Sequence, residues 1–380
     1  MIGGAIGGAR LNLMLGDTVV RPAPAATMRA FRKAEIAVSD TNPCGFSMEF
    51  EAVQTGLSGM IPLWQNSPLK SGSRLVATAQ YGLNIEPVLD GIIQEVVHKP
   101  AENGEVGTIT VKGRDLTALM DKEVEAKTFE GLSASSIVLD LLKTYSRYGI
   151  LPNVMMPKDN SPDNPLDRTP ALQGTALSII LHLAKLNGFV FRLTPGPMPL
   201  TSSAYWGPAT MPDKPLKAIT TDMGAATNVS NLEFQNAPNR AAVIKGDVLD
   251  QSSGVVVPIR SFPSGRLALG IKSALTDLSA HRTELLKPNP GEGTGAGLAQ
   301  AQSQSEATDD TLTATGEVDL ARYGGLLKPA RLVGLRGAGW DLSGLYRVRD
   351  VIHTIELGRW TQSFTFARNG TGATIPSVAV

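Results

Sequence analysis

The sequence predicts an α+β protein that is mainly antiparallel β, with two β modules related by internal duplication and a smaller α+β unit inserted between them. Residues 327–369 read as three consecutive strands separated by glycine turns, and the last strand alternates between two faces with period two. Residues 69–115 show the same strand and turn pattern near the N-terminus. Two amphipathic helical segments lie between these β stretches, within residues 113–225.

The internal repeat consists of short matches that occur in the same order in both stretches. They pair Arg74-Leu75-Val76 with Arg331-Leu332-Val333, Leu89-Asp90-Gly91 with Leu342-Ser343-Gly344, Val96-Val97-His98 with Val351-Ile352-His353, and residues 107–111 with residues 358–366. Each match is short, but the shared order within one strand pattern indicates a duplicated β module.

The first module is predicted over residues 1–112. Residues 1–9 are rich in glycine and are expected to form a flexible arm. Further strands are predicted before the repeat, at residues 10–20, 34–39, 46–53 and 61–64. The region then holds roughly six or seven strands, about the content of a small closed barrel.

The inserted α+β unit is predicted over residues 113–225. Ser133 is a predicted N-cap for a helix whose apolar face contains Ile137, Leu141, Leu142 and Tyr145. A second helix, at residues 174–186, has an apolar stripe of Leu177, Ile180, Leu181 and Ala184. Gly188 follows that helix as the predicted C′ residue. Residues 152–170 are polar and proline-rich, which predicts a loop, and strands are expected at 189–193 and 200–206.

The second module is predicted over residues 226–370. Its earlier strands are expected at residues 229–234, 241–246, 254–259 and 312–320. A helical and glycine-rich insertion near residues 287–310 interrupts them, and its Ala/Gln/Ser helix lacks large apolar side chains. We therefore expect this helix on the surface or at a subunit contact. Residues 371–380 are a predicted C-terminal tail.

The charge balance gives no sign of a polyanionic partner. Lysine plus arginine and aspartate plus glutamate both total 35, so there is no global attraction to nucleic acid or to an anionic membrane. No stretch approaches the roughly 20 apolar residues of a spanning helix, and the N-terminus lacks the basic region of a signal peptide. We expect a soluble chain without nucleic-acid specificity or membrane insertion of its own, in which Cys44, the single cysteine, is a buried small hydrophobe.

The sequence assigns no catalytic, cofactor-binding or metal-binding residue. The four histidines (His98, His182, His281 and His353) lack ligand spacing, and the equivalent repeat positions of His98 and His353 favour a structural role. The glycine run at 291–297 lacks the Lys-Ser/Thr pair and the preceding strand of a phosphate-binding loop, which favours a linker. The acidic clusters Asp121/Glu123/Glu125 and Asp309/Asp310 are read as solvated charge. We predict that the protein is not an enzyme.

Four stretches give a family resemblance. They are residues 88–96 with 108–115, Thr128-Phe129-Glu130-Gly131-Leu132-Ser133 before a helix, residues 172–188, and residues 344–353. In this order the chain resembles the baseplate-hub proteins of contractile phage tails and related injection systems, the late control gene D family. It is also similar to the N-terminal hub part of VgrG spike proteins. The resemblance covers most of the chain after about residue 30.

The resemblance implies two tube-type β-barrel domains per subunit and a homotrimeric ring of pseudo-sixfold symmetry. Such a ring adapts a hexameric inner tube to a trimeric spike. The implied partners are further copies of the chain, the inner tube protein, a separate spike protein and other baseplate subunits. The chain stops at Val380, without a needle domain, so the spike is expected on another chain. Synthesis in the bacterial cytoplasm and assembly into a virion or injection particle follow from the same resemblance.

Two alternatives remain open from the sequence. A tail-tube or distal-tail adaptor built from the same module would form a hexamer instead of a trimer. A carbohydrate-active enzyme on a β scaffold would require a deep cleft with two carboxylates.

Overall fold

The computed structural model describes residues 8–17, 19–53, 68–102, 105–157, 171–209, 214–250, 254–262, 266–273, 275, 282–287 and 293–373. Several sequence predictions lie outside these residues. They are most of the glycine-rich arm, the strand at 61–64, His281, most of the loop at 152–170, residues 291–292 of the glycine run and residues 374–380.

The first module consists of seven strands and a short helix in the described residues. The strands are β1 (Ala9–Gly16), β2 (Arg21–Pro22), β3 (Phe31–Ser39), β4 (Gly45–Glu51), β5 (Arg74–Tyr81), β6 (Asn84–Lys99) and β7 (Thr108–Asp115), and the helix is α1 (Ala25–Ala30). The predicted alternation in β4 is confirmed, because every second residue from Phe46 to Phe50 is buried.

The inserted unit follows β7 directly. Its elements are α2 (Thr117–Met120), β8 (Val124–Thr128), α3 (Ala134–Lys143), β9 (Ile150–Val154), β10 (Ala171–Thr175), α4 (Ala176–Leu186), β11 (Val190–Pro195) and β12 (Ser202–Gly207). The N-cap prediction is confirmed, because the Ser133 hydroxyl accepts a hydrogen bond from the Ser136 amide at 3.4 Å. Gly188 has the positive φ, +70°, of a C′ residue.

One helical stripe differs from its prediction. Leu181 in α4 is 40% exposed, whereas Leu183 is 7% exposed and belongs to the core of the inserted unit. Leu177, Ile180 and Leu183 lie on one side of the helix at a spacing of three, which points Leu181 away from the core. The Trp206 indole of β12 closes this core and donates a hydrogen bond to the Ile180 carbonyl oxygen at 3.3 Å.

The remaining elements are a strand at residues 216–220, which the sequence places in the inserted unit but which pairs with the second module, and the second module with an insertion of its own. They are β13 (Leu216–Thr220), β14 (Ser230–Asn236), β15 (Ala242–Asp250), β16 (Val255–Arg260), β17 (Gly270–Lys272), β18 (Arg282–Leu285), α5 (Thr294–Thr308), β19 (Leu312–Asp319), α6 (Leu320–Tyr323), β20 (Leu332–Arg336), β21 (Gly344–Glu356), β22 (Arg359–Arg368) and β23 (Thr371–Ala373). None of the helices in the described part of the chain is long and apolar enough to span a membrane.

The strands expected at 241–246 and 254–259 do not join the main sheet of the second module. They belong to β15 and β16, which form a separate three-stranded sheet with β18, and α5 packs on that sheet. The expectation of a surface position for this helix is therefore wrong along one face, where Gly297, Ala301 and Ser305 are buried. Their small size lets the helix approach closely, since a Cβ on Gly297 would lie 2.7 Å from the Val248 side chain.

The two modules share one 13-stranded sheet. Its main path is β14-β19-β22-β21-β3-β4-β7-β6-β5-β1-β2, and β20 with β13 branches from β21. The mainly antiparallel β prediction is confirmed. The pairings among the described residues leave this path open at β14 and at β2, so no closed barrel is seen in them. Both modules contribute to one hydrophobic core, in which Phe50 and Phe366 have no exposed surface.

The strand order repeats within this sheet. The path β3-β4-β7-β6-β5 in the first module corresponds to β14-β19-β22-β21-β20 in the second. The register of β6 shifts between Ile93 and Glu95, and that of β21 shifts between Val348 and Asp350. These shifts align Val96-Val97-His98 with Val351-Ile352-His353, as the sequence predicted. Two of the other three matches are displaced. Counting along the strands from the same shift, Leu75 aligns with Val333 instead of Leu332, and Gly91 aligns with Tyr346 instead of Gly344.

Candidate assembly interface

The two modules are joined by the antiparallel pairing of β3 with β21. Seven residue pairs connect these strands, from Asp350 opposite Ser39 to Glu356 opposite Lys33. On the inner face of this junction, Ile36 and Val351 have no exposed surface and His353 is 2% exposed. The inner-face side chains of the junction are therefore buried in the core that the two modules share.

A buried ion cluster stands beside the junction. The Arg347 guanidinium of β21 contacts the carboxylates of Asp40, just after β3, and of Asp310, just before β19. Arg266 Nη1 lies 3.4 Å from Asp310 Oδ1. Burial lowers the pKa of Arg347 to about 10 and raises the pKa of the Asp310 carboxyl above its usual value. The cluster ties four chain segments together at the junction, through Asp40, Arg266, Asp310 and Arg347.

The cluster corrects one sequence prediction. The sequence predicts solvated charge at Asp310, but the side chain is only 14% exposed and is paired with arginine. Asp309 is buried as well. No local pattern marks Asp310, because its partner Arg347 is 37 residues away and the two meet only through strand pairing. Asp121, from the other acidic group, accepts a hydrogen bond from the Thr175 hydroxyl at 2.9 Å.

A second buried ion pair fastens the inserted unit to the first module. Arg74 of β5 donates to both carboxylate oxygens of Asp90 of β6, at 2.7 and 2.6 Å. The same guanidinium donates to the Leu200 carbonyl oxygen at 3.2 Å, and the Ser202 hydroxyl donates to Asp90 at 3.3 Å. Burial raises the pKa of Asp90, with the arginine acting in the opposite direction. The start of β12 is thus held against the sheet.

The described histidines lie on separate elements, His98 on β6, His182 on α4 and His353 on β21. His353 packs edge-on against the Trp360 ring, with the ring centres 6.3 Å apart, and burial lowers its pKa to about 4. His98 occupies the equivalent position of β6, and His182 lies on the exposed side of α4. The described residues contain no group of three or more His, Cys, Asp or Glu side chains placed to hold a metal ion.

The other features named in the sequence are structural. Within the glycine run, Gly293 caps α5 and residues 294–297 form its first turn. Cys44 is buried, which raises the pKa of its thiol to about 12. Beside Cys44, a cavity of about 50 Å³ lies where both modules meet the inserted unit, lined in part by Val88, Leu193 and Leu327. This is far smaller than the roughly 300–1,000 Å³ of typical ligand pockets.

The path of the main sheet ends at β14 on one side and at β2 on the other, and β13 pairs only with β20 among the described residues. Strand edges that end a sheet are templates for pairing with another chain.

Comparison with solved structures identifies relatives of this architecture. A tail protein from Neisseria meningitidis MC58 is 13% identical, with a TM-score of 0.63 over 95% of this chain and 97% of that one. A 43 kDa tail protein of prophage MuSo2 from Shewanella oneidensis is 14% identical, with a TM-score of 0.64 over 95% and 98%. The fold is shared with phage tail proteins.

A third similar structure comes from a secretion machine. The Escherichia coli c3393 protein is a component of the type VI secretion system with structural similarity to the T4 bacteriophage tail proteins gp27 and gp5. It is 12% identical to this chain, with a TM-score of 0.51 over 91% of this chain and 77% of that one. No protein-family model and no curated protein matches the sequence.

Proposed function

We propose that this protein is the structural baseplate hub of a contractile tail or injection system. The observation that carries the proposal is the repeated strand order of the two modules within one sheet. A subunit with two similar modules presents twice as many similar units as it has copies, so three subunits fit a sixfold tube on one side and a threefold spike on the other.

One further observation supports this proposal. Solved structures with the same fold include tail proteins and a secretion-system component. The proposed partners are the inner tube protein, a separate spike protein and other baseplate subunits. The assembled product is a virion or a contractile injection particle.

The proposal is tested by the mass of the purified protein in solution, measured by light scattering. We expect a trimer, about three times the 40.1 kDa chain mass. Negative-stain images of the trimer should show a ring with six similar lobes. A hexamer would contradict the hub and favour a tail-tube or distal-tail adaptor, in which the repeat has no symmetry-matching role.

A second experiment tests whether the ring binds the inner tube, as a hub must. The purified ring is mixed with inner tube protein from the same genome, and bound tube protein is measured by co-sedimentation. A hub nucleates tube growth on one face, so images should show tubes capped by one ring. If the protein is a trimer but does not bind tube protein, the hub assignment is refuted, whereas the conclusion that the chain forms a ring still stands.

A further inference from the structure

The small cavity beside Cys44 is bounded by all three parts of the chain, and we call it the Arg192 cavity. Its walls come from β11 of the inserted unit, from β3 and β6 of the first module, and from residues 326–329 and His353 of the second module. Arg192 and Lys328 line it, and its described lining contains no aspartate or glutamate. His353 is neutral at pH 7, because burial lowers its pKa to about 4. The ionised groups in this lining are therefore cations.

The Arg192 guanidinium has no carboxylate partner in the described chain. Its Cζ atom lies 4.2 Å from the centre of the Tyr205 ring, which attracts the positive charge but has no lone pair to accept the N–H groups. The Nη1 atom is buried and has no hydrogen-bond acceptor among the described residues. Burial also lowers the pKa of Arg192, as expected for a charge that is poorly solvated. Buried donors in folded proteins normally have an acceptor, so this one indicates a ligand.

The other charged groups around the cavity already have partners. Lys328 Nζ lies 2.5 Å from Glu86 Oε2, so its charge is balanced within the chain. The carboxylates of Asp90 and Asp115 line a smaller void that adjoins the cavity, and other donors already bind both of them. Among these groups, Arg192 alone carries a charge that no described side chain neutralises.

The size of the cavity limits the ligand that it can hold. One water molecule needs roughly 10–15 Å³ of cavity volume, so a cavity of about 50 Å³ holds about three to five non-hydrogen atoms. Formate and acetate ions are of this size. Their two oxygen atoms also match the paired N–H groups of a guanidinium, which binds carboxylates through two parallel hydrogen bonds.

We propose that the Arg192 cavity binds one small carboxylate ion, which pairs with the Arg192 guanidinium where the inserted unit meets both modules. The ion supplies the acceptor that Nη1 lacks and neutralises a charge that the fold removes from water. Thr194 lies two residues further along β11, on the same face as Arg192, and its hydroxyl is a second donor in the lining. The site goes beyond the hub proposal and does not depend on it.

Thermal unfolding of the full chain tests the site, with sodium formate as the probe. Ionic strength is kept constant with sodium gluconate, which carries the same carboxylate on a molecule too large for the cavity. A ligand that binds only the folded chain raises the Tm once its concentration exceeds the Kd. We expect a rise of about 2 °C when the formate concentration is about ten times the Kd.

Three variants assign the effect to Arg192. Arg192→Met removes the guanidinium and should abolish the formate-dependent rise in Tm. Arg192→Lys keeps the charge but loses the paired N–H groups, so its Kd for formate should be about tenfold higher. Arg147→Met is the matched control, because Arg147 also lies over a tyrosine ring, at 4.9 Å from the centre of Tyr148, but is exposed. This control should respond to formate as the parent does.

A crystal structure of the parent protein in formate gives a readout that needs no variant to fold. At the concentration that saturates the rise in Tm, we expect one planar formate ion within hydrogen-bond distance of Arg192 Nη1. A water molecule at that position, with no formate in the cavity, would overturn the proposal.

The unfolding data can also overturn it. An equal rise in Tm for the parent and Arg192→Met would show a general effect of the salt on the protein surface. A parent whose Tm does not respond to formate at any concentration has no such site. A protein that shows the Arg192-dependent rise but is a hexamer supports the site and contradicts the hub proposal, so the two can fail separately.

Discussion

Replacing Arg347 by methionine tests whether the buried ion cluster holds the two modules together. The guanidinium is 4% exposed and lies between the carboxylates of Asp40, 1% exposed, and Asp310, 14% exposed. Methionine fills part of the space but leaves Asp40 and Asp310 without this counter-ion. Removing one partner of a buried ion pair costs about 3–5 kcal/mol, a large share of the roughly 5–15 kcal/mol that stabilises a typical protein.

The assay is urea unfolding followed by circular dichroism at one fixed protein concentration. The matched control is Arg359→Met, which removes an arginine on the neighbouring strand β22. Arg359 is 65% exposed and is paired with Glu317 at 3.1 Å. An exposed pair contributes about 0–1 kcal/mol, so the control should remain close to the parent protein.

The pH dependence of the Arg347 variant gives a second check. A buried carboxylate that loses its counter-ion becomes neutral by taking up a proton, so the cost of the substitution should shrink as the pH falls. A loss below about 1 kcal/mol at neutral pH, or equal losses for Arg347→Met and Arg359→Met, would refute the role of the cluster.

Three further outcomes are expected. Burial lowers the pKa of His353 from 6.5 to about 4, so the unfolded chain binds a proton at a higher pH than the folded chain does. The folded state with a neutral His353 is therefore most stable above pH 6.5, and this stability is lost as the pH falls toward 4. The parent should therefore lose about 2 kcal/mol more than His353→Gln between pH 7 and pH 5, and equal losses would contradict this. Gly113→Ala should cost about 1–3 kcal/mol in urea unfolding, since its Cβ would lie 2.0 Å from a carbonyl oxygen of β6, whereas Gly45→Ala, 3.7 Å from its nearest atom, should be tolerated. Arg74→Met should expose the loop before β12 to limited proteolysis by uncovering Asp90, and an unchanged cleavage pattern would argue against that anchor.

Local features of the fold could be predicted from the sequence because they depend on neighbouring residues. The alternation in β4 and the Ser133 N-cap each follow from side chains within a few positions of one another. The Val96-Val97-His98 match is also confirmed, because the strand register shifts at the same place in both modules.

Other features could not be read from local patterns. The sequence suggested that residues 241–259 belong to the second barrel, but β15 and β16 form their own sheet under α5. The apolar pattern of β15 and β16 would suit either the main sheet or a separate sheet. Packing against the small residues of α5 decides that they form the separate sheet. The prediction that Leu181 of α4 is buried was wrong for a related reason. Packing within the inserted unit decides which face of the helix is buried.

The sequence by itself determined the mainly antiparallel β class, the alternation of β4 and the Ser133 cap, because periodicity and capping act over a few residues. Only the tertiary structure decided that the two modules share one sheet. The Ser39 hydroxyl donates a hydrogen bond to the Asp350 carboxylate at 2.6 Å, although the two residues are 311 positions apart in the chain. The register of β3 against β21 depends on which side chains become buried when these distant strands pair.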